Sequence, residues 1–149
     1  MNTLLSITDV IARKHPDIMG CLKEFSRSLE DNEDKHLIMR DMGEVVGGKI
    51  FLSKYKNLKV DGSVGDALKK IVLPTVAPFT MAKIKENELH VAVCPFCIHI
   101  KEMATTVQCD FLSGLICGLI SHSQQVIVTE VQCRAQKKPA CVFLVNKKY

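Results

Sequence analysis

The stretch Val128-Thr-Glu-Val-Gln-Cys-Arg-Ala-Gln-Lys-Lys-Pro-Ala-Cys-Val-Phe-Leu-Val145 decides how this chain is read. Apolar and β-branched residues crowd both ends, and a polar run with Pro139 separates them. The pattern predicts two strands, over 126–135 and 141–145, closed into a hairpin. Glu130 and Cys133 lie on the first strand and Cys141 opens the second, with Cys109 a helix-length upstream. One carboxylate and three sulfurs suffice for the four positions of a tetrahedral zinc site. In a regular strand, however, Glu130 and Cys133 point to opposite faces. Both reach one ion only if the strand bulges or twists sharply between them. The alternative is core cysteines beside a hydrogen-bonded carboxylate.

Working back from the hairpin, residues 105–122 read as the most apolar helix, with small residues at Ser113, Gly114, Cys117 and Gly118. Before it, 81–85 and 89–94 read as two strands joined by Glu86-Asn87-Glu88. In the second of these, alternation puts His90, Ala92 and Cys94 on one face and Leu89, Val91 and Val93 on the other. Residues 64–73 form a helix capped by Ser63, with Val64, Leu68, Ile71 and Val72 inward and Pro74 and Pro78 ending it. A longer helix spans about 33–55. Its Gly43-x-x-x-Gly47-Gly48 leaves a flat patch where another helix or a strand can approach closely. Two further helices are expected over 3–12 and 17–29. The fold class is therefore α/β of the α+β kind: a four-stranded antiparallel sheet made of two hairpins, packed with about five helices.

The 149 residues suit one domain, with 1–60 as its helical N-terminal part, and 47% hydrophobic residues supply a sizeable core. No apolar run approaches the roughly 20 residues of a membrane span. Residues 1–12 lack a basic start and a small-residue cleavage site, so a cytoplasmic protein is expected. The net charge of +4 is spread along the chain, which gives little basis for nucleic-acid binding. Seven cysteines without a secretion signal point to metal binding or burial rather than disulfides.

A second constellation is Cys94-Pro95-Phe96-Cys97 with His99. A C-x-x-C pair chelates a metal or acts as a dithiol. These cysteines close a strand, whereas a redox dithiol usually opens a helix. Cys94 and Cys97 with His99 thus stand as a possible second metal or redox site. His15, His36, His90 and His122 have no evident catalytic partners, and Asp61-Gly62-Ser63-Val64-Gly65 lacks the lysine and spacing of a P-loop. No catalytic residue is assigned, and the reading leans away from an enzyme.

Residues 81–147 resemble the 4-vinyl-reductase domain family. The likeness is carried by Cys109-Asp110-Phe111 leading to Gly114 and Gly118, by Glu130-Val131-Gln132-Cys133, and by Pro139-Ala140-Cys141-Val142-Phe143. The CPFC run is similar to the cysteine-bearing strand of archaeal members, and Glu44 through Lys49 to the family's upstream helix. Lys137-Lys138 stands where the family turn usually has Gly before an acidic residue. The resemblance implies an α/β sandwich related to subunits of the TRAPP transport particle and to haem nitric-oxide-binding domains. It implies structural zinc on Cys109, Glu130, Cys133 and Cys141, with Cys94 or Cys117 as substitute thiols for the first ligand. It further implies a small apolar molecule held between helices and sheet, and a homodimer.

The favoured function is a zinc-stabilised, sensor-like domain that binds a small molecule. Its apolar pocket is expected to be lined by Phe79, Val93, Phe96, Phe111, Leu115 and Val128. One alternative is a reductase or accessory protein for a tetrapyrrole-like substrate, with Cys94 and Cys97 reactive. No Rossmann fingerprint accompanies it. Another is a scaffold subunit of a larger assembly.

Overall fold

The computed structural model describes residues 32–94 and 109–148. The helices expected over 3–12 and 17–29 lie outside those residues. Three of the expected helices are among those described. Helix α1 is Lys35–Lys54, and helix α3 is Asp110–Ile120. Helix α2 begins as Val64–Ala67, widens into a π-helical segment at Leu68–Val72, resumes as Leu73–Val76 and closes with the 3-10 turn Ala77–Phe79. The strands are β1 (Met81–Lys85), β2 (Glu88–Val93), β3 (Val126–Gln132) and β4 (Cys141–Lys147).

The four strands form one antiparallel sheet in the order β1-β2-β4-β3. Each expected hairpin is present, and the two are joined by β2 pairing with β4. The first turn is Glu86-Asn87, with Glu86 at φ 55. The second is tightened by a 3-10 turn at Arg134–Gln136, which ends with Lys137 left-handed at φ 64. Strand β3 therefore stops at Gln132, short of the expected 135, because Arg134, Ala135 and Gln136 turn instead of extending.

Alternation selects the buried face. Val126, Val128 and Glu130 of β3, Leu89 and Val91 of β2, and Cys141, Phe143 and Val145 of β4 are buried. Helices α2 and α3 supply the facing layer with Leu68, Ile71, Val72, Val76, Leu112, Ile116 and Leu119, each fully buried. At about 25 cal/mol per Å² of apolar surface, this layer is the dominant favourable contribution to folding.

One helix detail departs from the expectation: Pro74 does not end α2, which runs on to the closing 3-10 turn at Pro78. A proline ring clashes with the carbonyl four residues earlier. The π-helical widening just before Pro74, in which the Leu73 N–H reaches the Leu68 carbonyl, opens the room that the ring needs. The start fits the expectation: the Ser63 Oγ accepts the Asp66 N–H at 3.0 Å.

The flat patch on α1 meets another helix. Met39, Gly43, Gly47 and Phe51 form its buried stripe, and α3 lies across it. A Cβ on Gly47 would come 2.9 Å from the Leu119 N, and one on Gly118 would come 2.9 Å from the Gly48 N. The glycines of the two helices are thus reciprocal, each admitting the other's backbone. This contact fixes where the N-terminus of α3 lies, and with it Cys109.

Candidate metal centre

Cys109 is the residue before the first turn of α3. Its backbone N–H donates to the Glu130 Oε2 at 2.9 Å. That bond ties the helix start to β3 and uses one of the N–H groups that a helix terminus leaves unpaired. Asp110 follows in the first turn and pairs with the His36 Nδ1 of α1.

Glu130 and Cys133 share a face because β3 bulges between them. Glu130 pairs with Phe143 and Gln132 with Val142, so Val131 is an extra residue. Val131 is exposed, while Glu130 and Cys133 are both buried. A bulge shifts the alternation by one position, and this is the distortion that a shared ion requires. Cys141 enters from β4 on the same face.

The donor atoms of Cys109, Glu130, Cys133 and Cys141 all lie within 4.8 Å of one another. The Cys109 and Cys141 sulfurs are 3.7 Å apart, and those of Cys141 and Cys133 are 3.9 Å apart. Two sulfurs bound to one tetrahedral zinc at about 2.3 Å stand about 3.8 Å apart, so these spacings fit the edges of a zinc tetrahedron. The Arg134 N–H approaches the Cys141 sulfur at 3.4 Å, which would help to hold negative charge there.

The electrostatics point the same way. Burial, then the adjacent Cys133 sulfur, pushes the Glu130 carboxyl up to about 9, against the opposing bond from the Cys109 N–H. The Glu130 Oε1 is buried with no hydrogen-bond partner. Among the described residues no lysine or arginine pairs with this carboxylate. An orphaned buried carboxylate oxygen beside three sulfurs is the donor set a divalent soft-to-borderline cation satisfies.

Of the second constellation, Cys94 is among the described residues. Cys94 is buried and its sulfur lies 3.1 Å from that of Cys109, at the edge of the first cluster. Strict alternation would have grouped Cys94 with the half-exposed His90. A bulge in the first hairpin, where Met81 pairs with Val93 but Ala82 with Val91, makes Ala92 an extra residue and turns Cys94 inward. Cys97 and His99 lie outside the described residues. Cys117 is only half-buried on α3, with its sulfur 4.0 Å from the Val126 carbonyl oxygen, and does not join the cluster.

Of the expected pocket residues, Phe111 and Leu115 on α3 and Val128 on β3 are buried in one core. The Arg40 guanidinium of α1 donates to the Val128 carbonyl at 2.8 Å, bracing that strand. Phe79 ends α2 and Val93 ends β2, while Phe96 lies outside the described residues. An open groove of about 750 Å³ that the sequence reading did not name lies on the other face of the sheet, lined in part by Met81, Lys83, His90, Gln132 and Val142. Its sequence signal is the outward set of alternating residues, including His90 and Ala92.

The fold is that of the 4-vinyl-reductase domains and their structural relatives. Three solved structures carry this conclusion. The phenol-responsive sensory domain of the transcription activator PoxR is similar with a TM-score of 0.64 at 16% identity, over 87% of this chain and 74% of that one. A vinyl-4-reductase family protein from Methanocaldococcus jannaschii gives a TM-score of 0.56 at 16% identity, over 100% of this chain and 97% of that one. A trafficking protein particle complex subunit 3 from Naegleria fowleri, solved covalently bound to palmitic acid, gives 0.63 at 15% identity, over 97% and 96%. No protein-family model matches the chain, and no curated protein does. Among the described residues, no helix is long and apolar enough to cross a membrane.

Proposed function

We propose that this chain is a sensor-like domain for a small apolar molecule, stabilised by one structural zinc ion on Cys109, Glu130, Cys133 and Cys141. The observation that carries the metal is the convergence of those four donors within 4.8 Å. With all four tetrahedral positions taken by protein, no position is left for water, so the zinc would be structural rather than catalytic. Its work would be to lock the start of α3 to the terminal hairpin, which the Cys109 N–H bond to Glu130 alone holds weakly. Metal affinity then becomes folding free energy.

The ligand would lie beside this centre, among Phe79, Val93, Phe96, Phe111, Leu115 and Val128. The reading is supported by the core that Phe111, Leu115 and Val128 share, and by the likeness to a phenol-responsive sensory domain. Ligand occupancy would shift a contact between two copies of the chain.

Elemental analysis of protein purified under reductant tests the metal. The expected result is one zinc per chain, lost in Cys133→Ser and in Cys141→Ser and retained in Cys117→Ser. Metal-free wild-type protein, after growth with zinc, would remove the proposal. Native mass spectrometry tests the ligand through a co-purifying apolar mass.

A second reading, as a scaffold subunit of a larger assembly, has one observation in its favour. The chain matches the trafficking-complex subunit over 97% of its own length and 96% of that subunit's, but covers only 74% of the phenol-responsive domain. Stable partners recovered with the native protein, at fixed stoichiometry, would favour it.

A further inference from the structure

We propose that Cys94 and Cys109 form a thiol–disulfide switch that unloads the metal centre; the inference rests on the zinc reading above. Three sulfurs have spacings that suit a common ion, at 3.7 Å for Cys109 to Cys141 and 3.9 Å for Cys141 to Cys133. Cys94 does not fit that set. Its sulfur stands 3.1 Å from that of Cys109, well inside the roughly 3.8 Å that separates two thiolates on one tetrahedral zinc. A disulfide bond is about 2.05 Å long, so the two sulfurs need to close by only about 1 Å. Cys94 is therefore placed to take a ligand away rather than to act as one.

The placement is built by the fold. The bulge at Ala92 turns Cys94 toward the helices at the end of β2, and the glycine contact between α1 and α3 sets Cys109 at the start of α3. Cys94 is 1% exposed and Cys109 0%. Burial of that degree excludes a bulky or charged oxidant and leaves a small neutral one, of which hydrogen peroxide is the class.

The chemistry balances. The Cys94 thiolate attacks one peroxide oxygen, the O–O bond breaks, and the other oxygen leaves as hydroxide, so Cys94 becomes a sulfenic acid. The Cys109 sulfur leaves the metal and attacks the Cys94 sulfur. The S–O bond breaks as the S–S bond forms, and the second oxygen also leaves as hydroxide. Metal-bound Cys109 is already a thiolate, so the Cys94 thiol proton and one proton from solvent turn both hydroxides into water. The two sulfurs give up two electrons, and one peroxide is reduced to two waters. The metal retains Cys133, Cys141 and Glu130, one ligand short of a closed structural site. A reductant restores both thiols and the full donor set.

The test uses the full chain. Protein is loaded with zinc under reductant, the reductant is removed, and hydrogen peroxide is added. Zinc release is followed with a chromogenic chelator while disulfides are mapped by mass spectrometry. The expected result is one zinc released per Cys94–Cys109 crosslink, taken up again after reduction. Cys94→Ser should bind zinc as the wild type does and release it at least about tenfold more slowly, since the first thiol to be oxidised is gone. Oxidised glutathione should act far more slowly than peroxide. Loss of zinc binding in Cys94→Ser would make Cys94 a ligand and overturn the switch. So would release at the wild-type rate in that variant, a crosslink from Cys94 to Cys97, or equal speed with oxidised glutathione. Failure of the wild type to take up zinc before any oxidant is added sinks the metal reading itself. Uptake followed by peroxide treatment without the crosslink sinks only the switch.

Discussion

Replacing Gly114 with alanine should destabilise this protein, although intrinsic helix propensity favours alanine by about 1 kcal/mol. The new Cβ would stand 2.8 Å from the Arg40 carbonyl carbon and 3.0 Å from the Glu44 N, and would overlap the Arg40 carbonyl oxygen. All of these are backbone atoms of α1, so no rotamer change relieves the overlap. The helices must part instead. Overpacking of this kind costs about 1–3 kcal/mol, and a rigid backbone neighbour argues for the upper end. Setting about 3 kcal/mol against the propensity gain leaves a net loss of about 2 kcal/mol. For a chain of this size that lowers the melting temperature by about 4–8 °C. Gly48 is the internal control, because its added Cβ meets only the His122 ring nitrogen Nε2, at an ordinary contact distance of 3.5 Å. Gly48→Ala should gain up to about 1 kcal/mol. Thermal and denaturant unfolding, both with excess chelator so that metal does not contribute, measure the pair. A Gly114→Ala protein as stable as the wild type, or more so, would refute the close helix contact on which the position of Cys109 depends.

The metal-free and zinc-loaded proteins should respond to pH in opposite directions. In the metal-free fold the Glu130 carboxyl, raised to about 9, keeps its proton where the unfolded chain, with an ordinary value of 4.5, has lost it. The folded state then binds more protons, so stability falls as pH rises through that window. Zinc binding requires deprotonated thiols, so the zinc-loaded form should instead gain stability over the same range. Equilibrium unfolding at several pH values, with chelator or with zinc, reads both slopes, and parallel slopes would contradict the assignment. Glu130→Gln should remove most of the metal-free slope while weakening zinc binding, measured by competition with a chelator. At Lys137, whose φ is 64, relief of about 1 kcal/mol of left-handed strain offsets the entropic cost of glycine. Lys137→Gly should therefore stay within about 0.5 kcal/mol of the wild type. Lys137→Val should lose more than about 1 kcal/mol, because a β-branched residue tolerates that conformation poorly; equal unfolding midpoints would argue against the turn.

What the sequence reveals here follows from periodicity, and what it conceals follows from single-residue insertions. Both hairpins, and the two faces of β2 as far as Ala92, follow from alternation that survives through most of that strand. The reciprocal glycines of α1 and α3 announce a close contact, although only the structure pairs them with each other. The bulge at Val131 is demanded by the donor pattern of Glu130 and Cys133, so it is legible through chemistry rather than propensity. The bulge at Ala92 has no such marker, so alternation alone puts Cys94 with His90 and Ala92, on the face opposite to the one it occupies. The π-helical segment before Pro74 is invisible for a similar reason: proline normally signals termination, and its accommodation depends on packing that a local window does not contain. The pairing of β2 with β4, which brings the hairpins together, is a long-range choice that neither hairpin encodes alone.

The strand order also constrains how a nascent chain can assemble. Strand β4, latest of the four in synthesis, is an inner strand of the sheet, with β2 on one side and β3 on the other. Until β4 docks, β2 and β3 have no common neighbour and each presents a bare edge open to mispairing. Completion of the sheet therefore waits on its last-made strand, and a deletion of that strand would part β3 from the β1–β2 hairpin rather than trim one side.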